Sequence, residues 1–232
     1  MKWSAFFTSS IGKKFIMGLT GIFLISFLVV HVGLNACIFA TLFNEDDHGQ
    51  MFNKAAHFMG SNWVPRLLEI GLFLGIFLHI IQGLMLEFQN RAKRSIKYEV
   101  SFGNRGSKWY SRSMGLLGTI LLIFFIIHWK QFWIPSRFTG VDETTIDGKQ
   151  MHDLFSLMKS TFAEPWVVIV YVLACISLAY HLLHGFQSAF RTIGVRNNRY
   201  LKLVNGLGVG FSIIVPLLFA LMPVSMYFGW VS

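Results

Sequence analysis

Cysteine is nearly absent from this chain: Cys37 and Cys175 are the two in 232 residues, and both fall inside long apolar runs. A structural disulfide is not expected there, and no Cys/His spacing of the zinc-binding kind occurs. Acid is also scarce, with 11 Asp and Glu against 20 Lys and Arg, and all charged residues together make up 13%. With 54% hydrophobic residues and a mean hydropathy of +0.55, the chain is too apolar for an ordinary soluble domain. Nucleic acid is not an expected partner of such a chain. Low-complexity tracts are missing, and so is an internal repeat of the kind that builds the paired halves of many transporters.

What stands in their place is five apolar runs, Phe15–Phe43, Val64–Phe88, Met114–Trp133, Trp166–Phe190 and Leu203–Trp230. A membrane helix needs about 20 mostly apolar residues, and all five qualify. The runs and their loops use nearly all of residues 1–232. They leave no room for a separate soluble catalytic domain, so a single all-α domain of five transmembrane helices is predicted. Leu34-Asn35-Ala36-Cys37 loosely resembles a lipoprotein cleavage site. However, the apolar run before it exceeds the about 7–15 residues of a signal peptide and continues past Cys37 through Ile38-Phe39-Ala40. An uncleaved first span is expected.

Charge orients the spans. Lys2, Lys13 and Lys14 precede the first, and Arg91, Lys93, Arg94, Lys97, Arg105, Lys108 and Arg112 follow the second against one acid, Glu99. Arg191, Arg196, Arg199 and Lys202 follow the fourth. The opposite loops hold Glu45, Asp46, Asp47, Asp142, Glu143, Asp147, Asp153 and Glu164. The positive-inside rule then predicts a cytoplasmic N-terminus and an outside C-terminus. The net charge of +9 is thereby gathered on one face. That face reads as the orientation signal plus contact with anionic membrane lipid, or as a docking surface for an acidic cytoplasmic partner. Trp63, Trp109, Trp129, Trp133, Trp166 and Trp230 cluster near span ends, as an aromatic belt does. Between the third and fourth spans, Leu154, Phe155, Leu157, Met158 and Phe162 have near-helical spacing, and Met151–Phe162 is expected to lie in the interface. The fifth span, with Pro216 and Pro223, is expected to be a packing helix.

Four of these spans carry one interior histidine each: His31, His79, His128 and His181. At about 1.5 Å per helical residue, His31 and His128 lie about 25 and 24 Å from the cytoplasmic boundary, and His79 and His181 about 18 and 15 Å. They sort into an outer layer, His31 with His128, and an inner layer, His79 with His181. Two imidazoles per layer are what a bis-histidine haem b between helices requires. The absence of any C-x-x-C-H run excludes covalent attachment. The competing reading is hydrogen bonding across helices without metal. His184 competes with His181, since it lies about one turn further on nearly the same side. Gly33, Gly75, Gly83 and Gly185 lie within about one turn of a candidate ligand, and suit either close approach of a porphyrin or helix packing. Packing is also the expected role of Gly71, Gly206, Gly208 and Gly210. His48, His57 and His152 are expected to be solvated in outer loops.

The segment His181-Leu-Leu-His-Gly-Phe-Gln-Ser-Ala-Phe-Arg-Thr-Ile-Gly194 resembles the fourth-helix signature of the cytochrome b subunit of succinate dehydrogenase/fumarate reductase. The similarity is to the dihaem, five-helix, single-anchor type of bacteria that use menaquinone. The opening Ser9-Ser10-Ile-Gly-Lys-Lys-Phe-Ile-Met-Gly-Leu-Thr-Gly-Ile-Phe-Leu, continuing to Val30-His31, is similar to its first helix, and His79-Ile-Ile-Gln-Gly83 to its second-helix ligand turn. The resemblance covers the whole chain in order. It favours His181 over His184, because Gly185 and Gly194 fall at the family's distances from the ligand. Ala179 departs from the glutamate that some members carry two residues before this ligand, which puts a proton route through it in doubt.

The resemblance implies two haems b on His31, His79, His128 and His181, held in the bacterial cytoplasmic membrane. It also implies two soluble partners on the cytoplasmic face, an iron–sulfur subunit and a flavoprotein with covalent FAD that carries the succinate–fumarate chemistry. This chain would pass electrons between the iron–sulfur subunit and a membrane quinone, and would hold no dicarboxylate site. Quinone chemistry is expected near the outer haem, where Arg66 and Glu69 share a helix face. These two read equally as an interfacial ion pair, and Glu69 or His57 as proton donors. The alternative function is a proton-coupled transporter with a histidine relay, which would predict helices broken by Gly or Pro in repeated halves.

Overall fold

The protein is described by a computed structural model covering residues 9–92, 108–195 and 197–231. Lys2, Lys93, Arg94, Lys97, Glu99, Arg105 and Arg196 lie outside the described residues. Five helices are long and apolar enough to cross a membrane, as the apolar runs predict. They are built on α1 (Ser10–Ala36), α3 (Trp63–Ala92), α5 (Met114–His128), α7 (Pro165–Thr192) and α8 (Asn198–Tyr227), the first continuing helically to Leu42 and the third to Thr139. Between them lie three shorter helices, α2 (Gln50–Ser61), α4 (Trp109–Arg112) and α6 (Leu154–Phe162), 3-10 turns over Cys37–Leu42 and Glu45–Asp47, and a hairpin of β1 (Glu143–Ile146) and β2 (Lys149–His152).

Local chemistry sets the helix ends. Ser9 caps α1 by accepting from the Gly12 N–H at 3.0 Å, which satisfies one orphan donor of the first turn. Asn197 does the same for α8, accepting from Arg199 N–H at 2.9 Å. That cap starts α8 five residues before the apolar run at Leu203, because a polar first turn leaves no mark on hydropathy. The third span also outruns its prediction. Beyond His128 the helix winds on in wide π-type turns over Trp129–Trp133 and Pro135–Thr139. The last is closed by Gly140 N–H on the Pro135 carbonyl at 3.0 Å. Such turns re-aim side chains within a helix.

In the bundle, α7 packs against α1, α5 and α8, and α1 also packs against α3. The outward face of α3 shows Leu67, Ile70, Leu74, Phe77, Leu78 and Ile81 at helical spacing, all exposed. An apolar outer surface of this kind suits lipid and not water. This is a multi-pass helical membrane protein.

The acidic end differs from expectation. The segment expected as a plain loop after the first span contains α2, and the segment before α6 contains the hairpin, which turns at Asp147 and Gly148 with φ of 53° and 73°. Asp-Gly is the sequence signature of such a turn. Helix α6 turns its apolar face onto the bundle: Phe155, Met158 and Phe162 are buried, joining Phe52 of α2 and Ile38 in the main hydrophobic cluster with Val167, Tyr171, Val215 and Met222. These elements form a cap over the acidic end of the bundle. Asn53, 3% exposed, ties it together by donating to Asp153 at 2.9 Å and accepting from Phe155 N–H at 3.0 Å.

Candidate functional site

The four interior histidines come from α1, α3, α5 and α7, one each, and meet in two pairs. The ring centres of His31 and His128 are 5.9 Å apart, and those of His79 and His181 are 6.3 Å apart. These are the outer and inner pairs predicted from depth. The layer spacing can be read on three helices independently. Thr20 of α1 contacts His79, Gly118 of α5 faces His181, and Tyr171 of α7 contacts His128. Each of these residues stands ten or eleven positions from the histidine of its own helix in the other layer. At about 1.5 Å per residue the layers are about 15 Å apart along the bundle.

Both pairs line one cavity of about 1870 Å³ that runs between α1, α3, α5 and α7. Ordinary small-ligand pockets run to about 300–1,000 Å³, so this one has room for more than a single large group. It reaches from Lys14, Arg91 and Arg112 at the basic end to His57, Arg66 and His152 under the cap. Imidazoles bound on opposite sides of one metal ion, with bonds of about 2 Å, would put their ring centres about 6 Å apart. Both pairs fit that span. No hydrogen bond joins the rings within either pair among the described residues, so direct imidazole–imidazole bonding does not account for the pairing. Among the described residues no three His, Cys, Asp or Glu side chains converge as a metal cluster. Each pair could hold a metal that arrives with the rest of its ligands in a planar macrocycle.

The remaining ring nitrogens have distinct surroundings. His79 Nδ1 lies 3.1 Å from Thr20 Oγ1, and His128 Nδ1 lies 3.3 Å from the Tyr171 hydroxyl, which donates to Gln131 Oε1 at 2.8 Å. His31 Nδ1 lies 3.3 Å from Asn35 Nδ2. His181 Nδ1 is buried without a hydrogen-bond partner. His184 lines the cavity, but among the described residues no ring contact pairs it with His79. The geometry sets His181 opposite His79.

The glycines divide. A side chain at Gly75 would meet Phe23 at 2.9 Å, and one at Gly83 would meet Met17 at 3.3 Å, so both serve the α1–α3 contact. Gly208 serves α7–α8 packing, with Phe186 at 2.7 Å. A side chain at Gly33 would meet open space, whereas a Cβ at Gly21 would come 3.8 Å from the His79 ring and one at Gly118 or Gly185 4.0 Å from the His181 ring. Helix α8 is more than a packing helix, since Phe219 lies against His31 with ring centres 5.3 Å apart.

At the capped end, Glu69 pairs with Arg137 and not with Arg66. Its carboxylate accepts from Trp133 Nε1 at 2.6 Å and from Arg137 Nε and an Arg137 terminal nitrogen at 3.2 and 3.1 Å. Arg137 falls beyond the predicted third span, and the π-type turns bring it and Trp133 round to α3. A charged side chain at membrane depth costs about 2.5–3.5 kcal/mol when alone, and this pairing offsets that cost. Arg66 remains exposed at the cavity mouth. His48 is exposed as expected, and His152 is exposed but reaches the cavity rim. His57 departs from expectation: it is half-buried on α2 and faces the cavity. At the cap, burial would raise the Asp153 carboxyl, but hydrogen bonds from Ser156 and Asn53 outweigh it and hold the group below the usual aspartate range.

No family model, curated protein or solved structure matches this chain.

Proposed function

We propose that this chain is the cytochrome b membrane anchor of a succinate:quinone oxidoreductase, the dihaem five-helix type. The observation that carries this reading is the two stacked imidazole pairs, each at the spacing of bis-histidine ligation, in one cavity that runs most of the length of the bundle. His31 and His128 would hold the outer haem b, and His79 and His181 the inner. When bound, a haem b supplies reversible one-electron iron chemistry. The chain's own part is to hold the axial imidazoles, exclude water with apolar walls, and set two carriers about 15 Å apart along the bundle. Electrons would pass between an iron–sulfur subunit at the basic end and quinone, menaquinone by the family resemblance, at the capped end. A flavoprotein subunit on the same basic side would carry the dicarboxylate reaction. The basic end would face the cytoplasm of a bacterium, with the C-terminus outside.

Quinone reduction takes up two protons, and the outer end of the cavity offers groups to handle them. Glu69, held by Trp133 and Arg137, lines the cavity with His57 and Arg66. These side chains suit binding of a quinone carbonyl and delivery of protons from the capped side. The deciding experiment is haem extraction and a reduced-minus-oxidised spectrum of the intact, membrane-extracted complex. Two low-spin haems b per chain are expected, and one or none would overturn the proposal.

A further inference from the structure

In each imidazole pair, one ring meets a hydroxyl whose own proton is already committed elsewhere. The Tyr171 hydroxyl donates to Gln131 Oε1 at 2.8 Å. A phenol has a single proton, so toward His128 Nδ1, at 3.3 Å, it can only accept. Thr20 Oγ1 likewise donates to the carbonyls of Ile16 and Met17, at 2.8 and 3.2 Å, and can only accept from His79 Nδ1 at 3.1 Å. With the hydroxyl protons so placed, both imidazoles would carry their own proton on Nδ1 and leave Nε2 with the lone pair that a metal requires. The partner rings have no such acceptor. The Asn35 amide nitrogen, which donates to the His31 carbonyl at 2.8 Å, lies 3.3 Å from His31 Nδ1, so a proton carried there finds no acceptor in Asn35. Among the described residues His181 Nδ1 has no hydrogen-bond partner.

We infer that Tyr171 and Thr20 are positioning residues, one per layer, that fix the tautomer of one axial ligand in each pair and strengthen it as an electron donor. This rests on the haem-binding reading. An acceptor on the far nitrogen raises imidazole basicity, which favours the oxidised metal and lowers its reduction potential. Each haem would then have one anchored and one unanchored ligand. The anchored ones sit on α5 in the outer layer and on α3 in the inner layer. Tyr171 is further held by ring contacts with Phe124 and Phe162 at 4.9 and 5.0 Å, and Gln131 lies on the first π-type turn, three residues beyond its histidine.

The test uses the complete, membrane-extracted complex. Tyr171→Phe keeps the ring and its neighbours, and Thr20→Val keeps the side-chain shape, so each removes one hydroxyl. The two haems are told apart with His31→Ala and His79→Ala proteins, each of which keeps one. Redox titration and the low-spin ferric electron paramagnetic resonance signals are then read for each haem. Tyr171→Phe is expected to keep both haems and to shift the outer potential upward, changing the outer g-values and leaving the inner haem as it was. Thr20→Val is expected to do the reverse. If Tyr171→Phe sheds its haem, Gln131→Leu carries the outer readout with a smaller upward shift. Unchanged potentials and signals in variants that retain both haems would overturn the inference and leave the haem-binding reading intact. Absence of haem from the unmodified complex would instead overturn that reading.

Discussion

Around His31 and His128 the packing is aromatic. Phe27 and Phe219 lie against His31, and Phe124 and Phe132 against His128, with ring centres 5.1–5.5 Å apart. Around His79 and His181 the neighbours are small, with Gly21 and Gly118 facing the rings and Thr20 bonded to His79. The main hydrophobic cluster and the cap also belong to the outer half, whereas the inner half opens toward Lys14, Arg91 and Arg112. One spacing rule thus serves two environments. Large rings exclude water and lower the local dielectric, and glycines let helix backbones come close. The His31–His128 pair is packed in rings beneath the cap, and the His79–His181 pair is reached from the basic end.

The strongest way to break this comparison is to delete ligands layer by layer. His31→Ala or His128→Ala should take haem content from two per chain to one by removing the outer group, and His79→Ala or His181→Ala should remove the inner one. His184→Ala should keep both. Pigment extraction with spectra decides, and loss of a haem from His184→Ala with retention in His181→Ala would reassign the inner ligand.

Next come the supports of each half. Asn53→Ala removes two buried hydrogen bonds of the cap, a loss of about 1–3 kcal/mol. Hydrogen exchange should rise in α2, the hairpin and α6 and stay unchanged at the basic ends of α7 and α8. Gly208→Ala is the mirror experiment. Its new methyl would stand 2.7 Å from Phe186, and overpacking of this kind costs about 1–3 kcal/mol. Faster exchange is then expected between α7 and α8 and not in the cap. Spread of either effect to the other half would show that the halves are not independent.

Glu69→Gln sharpens the functional side. The amide keeps an acceptor for Trp133 and loses the charge that pairs with Arg137. Quinone reductase turnover should fall on the order of tenfold, which corresponds to about 1.4 kcal/mol of barrier, with both haems retained. Unchanged turnover would make the pair a structural clasp.

The smallest effect is the pH response of the cap. The Asp153 carboxyl is held below its ordinary value of 3.8 by hydrogen bonds from Ser156 and Asn53, against the opposing effect of burial. Its contribution is complete above the unfolded value and is lost as pH falls through the folded one. Cap protection measured by hydrogen exchange should therefore weaken only below about pH 4, and Asp153→Asn should remove that acid-dependent part.

Hydropathy and charge in the amino-acid sequence were sufficient for the five spans, because lipid contact demands about 20 apolar residues whatever the neighbours are. The two histidine layers were legible for a related reason: a helix converts residue number into depth at a constant rise, so His31, His79, His128 and His181 could be ranked without any packing. The Asp147-Gly148 turn was also written there, as a dipeptide that tolerates positive φ, though hydropathy passes over it. The choice of His181 over His184 rested on the family resemblance and not on depth, since three residues separate them and the placement of α3 decides which ring meets His79. Arg137 as the partner of Glu69 depended on π-type turns that no apolar pattern encodes. Nothing in the sequence singles out Tyr171, Thr20 or Asn53; helices distant in sequence bring an imidazole, or the first turn of α6, within their hydrogen-bonding reach. Depth and hydropathy are properties of one helix at a time, whereas hydrogen-bond partners across a bundle depend on helix rotation and contact, which only the tertiary structure sets.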